Sequence, residues 1–250
     1  MRPPRIRMFA GPNGSGKSTI KDYLAPNQIG AYLNADELEK QLLATQQLCL
    51  SDYHAALSAP ALLTFLKQNK RKRNETLVPL LFTQPKIIHD QVIVFELDEI
   101  DSYLCARIID FIRMEFLKLK ISFTFETVMS HASKVEFLGE AKRQGFKTYL
   151  YYVATVDPKI NIARVKYRVY AGGHDVPEHK IYERYYRSLD LLMSAIEVSD
   201  RAYIFDNSSD GEKASFIAEI ENAEVLKLNP AVHYFPKWFV DKVLNEFNEE

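Results

Sequence analysis

Gly11-Pro12-Asn13-Gly14-Ser15-Gly16-Lys17-Ser18-Thr19 is a complete phosphate-binding loop of the form G-x-x-x-x-G-K-[ST]. Glycines let such a backbone curl until several N–H groups point inward, and the helix start that follows adds its positive dipole end. A di- or triphosphate fits that concavity. Lys17 is expected to reach the β- and γ-phosphates, and the Ser18 hydroxyl to take a place on Mg²⁺. In a chain of 250 residues the pattern arises by accident in about one sequence in a hundred.

The flanks of the loop are right for it. Ile6, Met8, Phe9 and Ala10 read as a strand feeding the loop, and Ser18 to Leu24 as the first turns of a helix that must stop at Pro26. Ala31 to Asn34 is a short second strand, and Asp36 to Leu43 turns helical. Asp36 thus stands where a parallel strand ends, the edge at which open α/β sheets bind ligands. Two readings of it remain open. It is a general base taking the proton of an acceptor hydroxyl, or it opens a capping box, Asp36-x-x-Glu39.

Residues 45–99 break the pattern and read as an insertion beside a core formed by 1–44 and 100–250. Leu57, Ala61, Leu62, Phe65 and Leu66 are helically spaced, with Pro60 as a break or kink. Lys67-Gln68-Asn69-Lys70-Arg71-Lys72-Arg73 reads as a solvated face rather than a phosphate-touching patch, since the chain is near neutral and no aromatics interleave it. Val92 to Glu99 imitates a metal-holding strand, apolar residues followed by acids, but Asp98 suits the start of the next helix equally well.

Asp101 to Lys120 is a strongly amphipathic helix, with Leu104, Ile108, Ile112 and Phe116 four apart. Cys105 falls among them as a small core residue. Ile121 to Glu126 is a strand ending in an acid; Glu126 could hold substrate hydroxyls, back the waters of Mg²⁺, or simply face solvent. Ser133-x-x-Glu136 is expected to cap the following helix, which stops at Gly145. Thr148 to Ala154 is apolar almost throughout, as a buried parallel strand should be. Asp157-Pro158 opens a helix carrying Arg164, Lys166 and Arg168; Gly172-Gly173-His174 breaks it, and Pro177 restarts a second. An arginine-bearing hairpin of this kind can neutralise charge on a transferring phosphoryl group, or it can be a solvated helix pair. Ala202 to Asn207 is expected to close the sheet near the base side of the nucleotide.

Composition sets the wider class. Apolar residues at 47% and charged residues at 26% are ordinary globular values, enough for one large α/β domain or a domain with an insertion. A net charge of −1 gives no global attraction to nucleic acid or anionic lipid. Cys49 and Cys105 are isolated, so neither a disulfide framework nor a metal-type spacing exists, and a cytoplasmic setting is expected. With the loop beginning at residue 11 no signal peptide is expected, and no apolar run is long enough for a membrane span. On that basis the sequons at Asn74 and Asn207 carry no meaning.

Gly11 to Thr19, Asn34-Ala35-Asp36-Glu37, Phe125-Glu126-Thr127, the Arg164/Arg168 helix with Gly172 to Pro177, and Phe205-Asp206-Asn207-Ser208 together resemble the zeta-toxin-like P-loop kinases, also labelled predicted ABC-type ATPases. The resemblance covers about residues 5–44 and 101–209 in order. It implies a P-loop NTPase fold, nucleotide-kinase-like, with a mostly parallel sheet and helices on both faces. It also implies ATP and Mg²⁺ as cofactors, and transfer of the γ-phosphate to a hydroxyl of a small-molecule acceptor, a UDP-amino sugar in the best understood zeta toxins. Lys17 and Asp36 then take catalytic positions, Glu126 and Thr127 a substrate-binding one, and Arg168, with Arg164 as its substitute partner, the lid arginines. His174 departs from the pattern where a second lid arginine is expected. An antitoxin or other protein partner is implied as well. The rival reading is a regulatory NTPase whose insertion forms a nucleotide-gated binding surface. No LSGGQ-like signature of a true ABC ATPase is present, and action on nucleic-acid ends has only residues 70–73 behind it.

Overall fold

The computed structural model describes residues 2–73, 76–81, 84–173 and 175–247, with backbone alone at 71–73. His174, and Asn74 of the first sequon, lie outside the described residues. The chain gathers into two compact units, Met1–Tyr32 with Ser122–Glu250, and Leu33–Ile121.

The first unit begins with β1 (Arg5–Ala10), whose Ile6, Met8, Phe9 and Ala10 are wholly buried. The loop follows, and then a 3₁₀ helix over Lys17–Tyr23 where the spacing predicts an ordinary helix. The Thr19 hydroxyl donates back to the Gly16 carbonyl at 2.7 Å, Leu24 is extended, and Pro26 starts a separate short helix, α1 (Pro26–Ile29). A proline so near denies the segment the length on which an α-helix depends. β2 (Ala31–Leu33) then leads into the second unit.

That unit holds α2 (Ala35–Thr45), β3 (Gln47–Cys49), α3 (Ala59–Lys67), β4 (Lys70–Arg73), β5 (Thr76–Pro79), β6 (Lys86–His89), β7 (Val92–Val94) and α4 (Ser102–Leu119). Leu38 and Leu42 of α2, Leu62 and Leu66 of α3, and Leu104, Ile108, Ile112 and Phe116 of α4 are buried as the helical spacing requires. Pro60 lies in the first turn of α3, so it starts that helix instead of kinking it. β4 pairs antiparallel with β5, and β7 lies between β3 and β6. The strand that imitates a metal-holding one, Val92–Val94, therefore belongs to a small antiparallel sheet and not to the sheet that bears the loop.

Back in the first unit come β8 (Phe123–Thr127), α5 (Ser133–Arg143), β9 (Lys147–Ala154), α6 (Pro158–Tyr170), α7 (Glu178–Asp190), α8 (Leu192–Glu197), β10 (Arg201–Asp206), β11 (Ser215–Glu221) and β12 (Val225–Leu228). The sheet runs β12-β11-β10-β9-β1-β8-β2. β1 is parallel to both its neighbours and β10 is parallel to β9, whereas β11 and β12 add on antiparallel. β10 thus does not close the sheet: the chain turns after Asp206 and lays two more strands outside it. The cap of α5 also differs from expectation. Ala132 holds the cap position with no side-chain bond, because Ser133 is already inside the helix and its hydroxyl meets His131 Nδ1 at 3.0 Å. Among the described residues no helix is long and apolar enough to cross a membrane.

Candidate active site

The sheet order puts the loop at a change of direction. From β1 the chain goes out to β2 and β8 on one side and returns as β9 on the other, so a crevice forms at the carboxyl ends of β1 and β9. Ile20 anchors the far end of the loop: it is buried against Phe9, Tyr151, Val153 and Phe205 on one face of the sheet. The loop is held from within by Ser15 N–H donating to the Pro12 carbonyl at 3.2 Å and Thr19 N–H to Gly16 at 3.1 Å. Lys17 is buried, with its ammonium on the Pro12 carbonyl at 2.9 Å, while Ser18 beside it is exposed. Ser15 Oγ and Asn13 Oδ1 are buried without a hydrogen-bond partner. Orphaned polar atoms of that kind are what a loop shaped for a polar ligand leaves behind.

Glycine is needed where the loop touches its surroundings. At Gly14 (φ 73°) a Cβ would lie 2.5 Å from the Asn161 carbonyl oxygen, and at Gly16 (φ 90°) 2.2 Å from Asn207 Nδ2. The two neighbours also bond the loop. Asn161 Nδ2 donates to the Asn13 carbonyl at 2.6 Å, and Asn207 Nδ2 to the Ser15 carbonyl at 2.8 Å. Neither asparagine is given a role by the sequence; Asn161 sits unmarked inside a helix, and Asn207 appears only within the resembling motif at a strand end and as a sequon.

On the other side of β1, Glu126 and Thr127 end β8 in register with Phe9 and Ala10, the last residues before the loop. The Tyr32 hydroxyl donates to Glu126 Oε2 at 2.5 Å, and the Lys21 ammonium sits 3.5 Å from the Tyr32 ring centroid. The Thr127 hydroxyl accepts from Met129 N–H at 3.1 Å. Arg164 on α6 has its guanidinium on the segment after β10, reaching the Asn207 carbonyl at 2.6 Å and the Asp210 carboxylate at 2.8 Å. Between α6 and that segment lies an open pocket of about 590 Å³ lined by Lys159, Ile160, Ala163, Arg164, Tyr167 and Asp210. Arg168, four residues on, packs its stem beside Gly173, whose N–H donates to the Arg168 carbonyl at 2.9 Å.

The first unit therefore brings together the loop, Glu126, Thr127 and Arg164. Asp36 belongs to the second unit, three residues beyond the end of β2, exposed in the first turn of α2. The cap of that helix is Asn34, whose Oδ1 accepts from Asp36 N–H at 2.9 Å and Glu37 N–H at 3.3 Å. The box opened by Asp36 is therefore replaced by one residue type better placed two positions earlier. Cys105 is buried in this unit, and burial followed by the nearby Glu39 pushes its thiol up, away from the thiolate form.

No family model matches the sequence. A stretch of 69 residues, 28% of the chain, is 36% identical to an uncharacterized protein of Haemophilus influenzae and spans about half (49%) of it. The crystal structure of AvrRxo1-ORF1:-ORF2 with ATP is matched at a TM-score of 0.53 and 13% identity, over 92% of this chain and 61% of that one. The same complex with sulphate ions gives 0.52 over 92% and 62%. The PezAT chromosomal toxin-antitoxin system of Streptococcus pneumoniae is matched over 100% of this chain and 89% of that one, at 14% identity and a TM-score of 0.49. Sheet order and likeness agree: the chain shares its fold, a mostly parallel α/β sheet with the loop following its first strand, with a chain of the AvrRxo1-ORF1:-ORF2 complex.

Proposed function

We propose that this protein is an ATP-dependent kinase that moves the γ-phosphate to a hydroxyl of a small molecule, a UDP-amino sugar being the first acceptor to try. The observation that supports it most is the loop itself, set at the carboxyl edge of β1 with Glu126 and Thr127 in register beside it. Lys17 exchanges its bond to the Pro12 carbonyl for phosphate oxygens. The base lies toward Tyr167 and Ile160 in the pocket beside α6.

Mg²⁺ arrives with the nucleotide. Among the described residues no group of three or more His, Cys, Asp or Glu could cage a metal, and Mg²⁺ characteristically binds phosphates, waters and one or two protein oxygens. The exposed Ser18 hydroxyl would hold it, and it would supply charge to the phosphate oxygens, while Glu126 and Thr127 would bind the acceptor. Asp36 takes the proton of the acceptor hydroxyl as that oxygen bonds to the γ-phosphorus and the bond to ADP breaks. Arg168 and Arg164 stabilise the charge in transfer, and Arg164 must give up its bonds to Asn207 and Asp210 to do so. Since AvrRxo1-ORF1 is crystallised with ORF2, a protein partner is proposed for this chain too.

ATP turnover measured with UDP-sugars, nucleosides and aminoglycosides tests the proposal. Stimulation by one acceptor, with Asp36→Asn lowering turnover by about two to four orders of magnitude while ATP still binds, is the expected result. Turnover that no acceptor stimulates and Asp36→Asn leaves unchanged overturns it.

A further inference from the structure

We infer that Asn161 and Asn207 are positioning residues of the phosphate-binding loop, a two-amide clamp that fixes which way its peptide groups face. The geometry starts from the planar trans peptide, in which each C=O points opposite to the next residue's N–H. No cis peptide bond interrupts the described chain. Drawing the Asn13 carbonyl toward Asn161 therefore turns the Gly14 N–H the other way, and drawing the Ser15 carbonyl toward Asn207 does the same for the Gly16 N–H. Those are loop donors whose direction decides whether phosphate is bound.

Each asparagine is itself held, Asn161 through its side chain and Asn207 through its backbone. Asn161 is fully buried, and the Thr155 hydroxyl donates to its Oδ1, which commits its Nδ2 to the loop. Asn207 donates its own N–H to the Ala154 carbonyl at 2.8 Å, and its carbonyl accepts from Arg164 at 2.6 Å. Gly14 and Gly16 lie so close to the clamp that a side chain at either would displace it. The clamp comes from two separate elements, α6 and the segment after β10, so the loop is held at two points.

The test uses calorimetric titrations of ATP with Mg²⁺, and of AMP, into the wild type, Asn207→Ala and Asn207→Asp at pH 7.5. Asn207→Ala removes the donor to the Ser15 carbonyl without adding charge, so it binds ATP about tenfold more weakly than the wild type. The aspartate is ionised and faces that carbonyl with no donor, so Asn207→Asp binds ATP more weakly still. AMP lacks the β- and γ-phosphates that the loop would hold, and its affinity changes less than that of ATP. Asn207→Ala within twofold of the wild type for ATP, with any loss confined to Asn207→Asp, is simple repulsion by an added charge and overturns the clamp; equal losses for ATP and AMP overturn it too. Thr155→Val is the second variant: with the Asn161 amide no longer oriented, ATP binds roughly threefold more weakly, and unchanged binding counts against it. The inference rests on the loop binding nucleotide; wild-type protein that takes up no ATP fails that reading, whereas wild-type binding that Asn207→Ala leaves unchanged fails only the clamp.

Discussion

The two units are built on different principles. In the first, buried polar side chains link one element to the next: the Tyr152 hydroxyl to Ser188, the Tyr185 hydroxyl to the Thr155 carbonyl, and Asn161 to the loop. In the second, the core is mainly aliphatic, with Glu39, Glu99 and Arg113 as its buried charged residues, and its candidate catalytic group, Asp36, lies on the surface. Apolar burial is strong but has no direction. A loop that must aim peptide groups at phosphate needs directed bonds, whereas a helix that presents one carboxylate needs only a firm back face.

Ile112→Ala in the second unit carries the largest expected effect, about 2–5 kcal/mol of stability from the cavity left in a fully buried site. Urea unfolding followed beside ATP titration measures it. ATP affinity is expected to hold at urea concentrations where the helical signal has begun to fall, and a loss of affinity in step with that signal would erase the distinction between the units. Lys17→Met strikes the directed bonds of the first unit and is expected to lower turnover about a hundred- to a thousandfold. Unlike Asp36→Asn, it also weakens ATP, so equal effects of both variants on binding would contradict the division of labour.

Asp200→Asn is the mildest. The Asp200 carboxylate accepts from Thr148 N–H at 2.8 Å and from Lys147 at 3.0 Å. Burial raises its pKa, but the Thr148 amide, the Lys147 ammonium and the Thr148 hydroxyl outweigh that and hold it below the ordinary 3.8. A depressed folded pKa stabilises the protein above the unfolded value, and the gain is lost as pH falls through the folded one. The variant should therefore be about 1–2 kcal/mol less stable at neutral pH, with the gap shrinking in melts below about pH 4. A gap that widened in acid would reverse the sign.

The parts legible in the sequence were those governed by local pattern. The loop motif, the run of β9 and the period of α4 each declare themselves within a dozen or so residues, and α4 (Ser102–Leu119) falls within a residue of its expected ends. What escaped depends on partners far along the chain. Asn161 bonds a residue 148 positions away and Asn207 one 192 away, and no spacing rule encodes either. The strands added beyond β10 were hidden because an apolar run does not say whether it is central or edge. Competing caps explain the rest: Asn34 and Asp36 both suit a helix start, and the backbone decides between them.

The segment after β10 has a further tie. Trp238, the chain's single tryptophan, is nearly buried, and its indole N–H donates to Asp206 Oδ2 at 3.0 Å, one residue before Asn207. The molecule thus carries a built-in optical probe wired to the edge of its loop, and its ultraviolet emission can be followed on unlabelled protein, in real time, as ligands come and go.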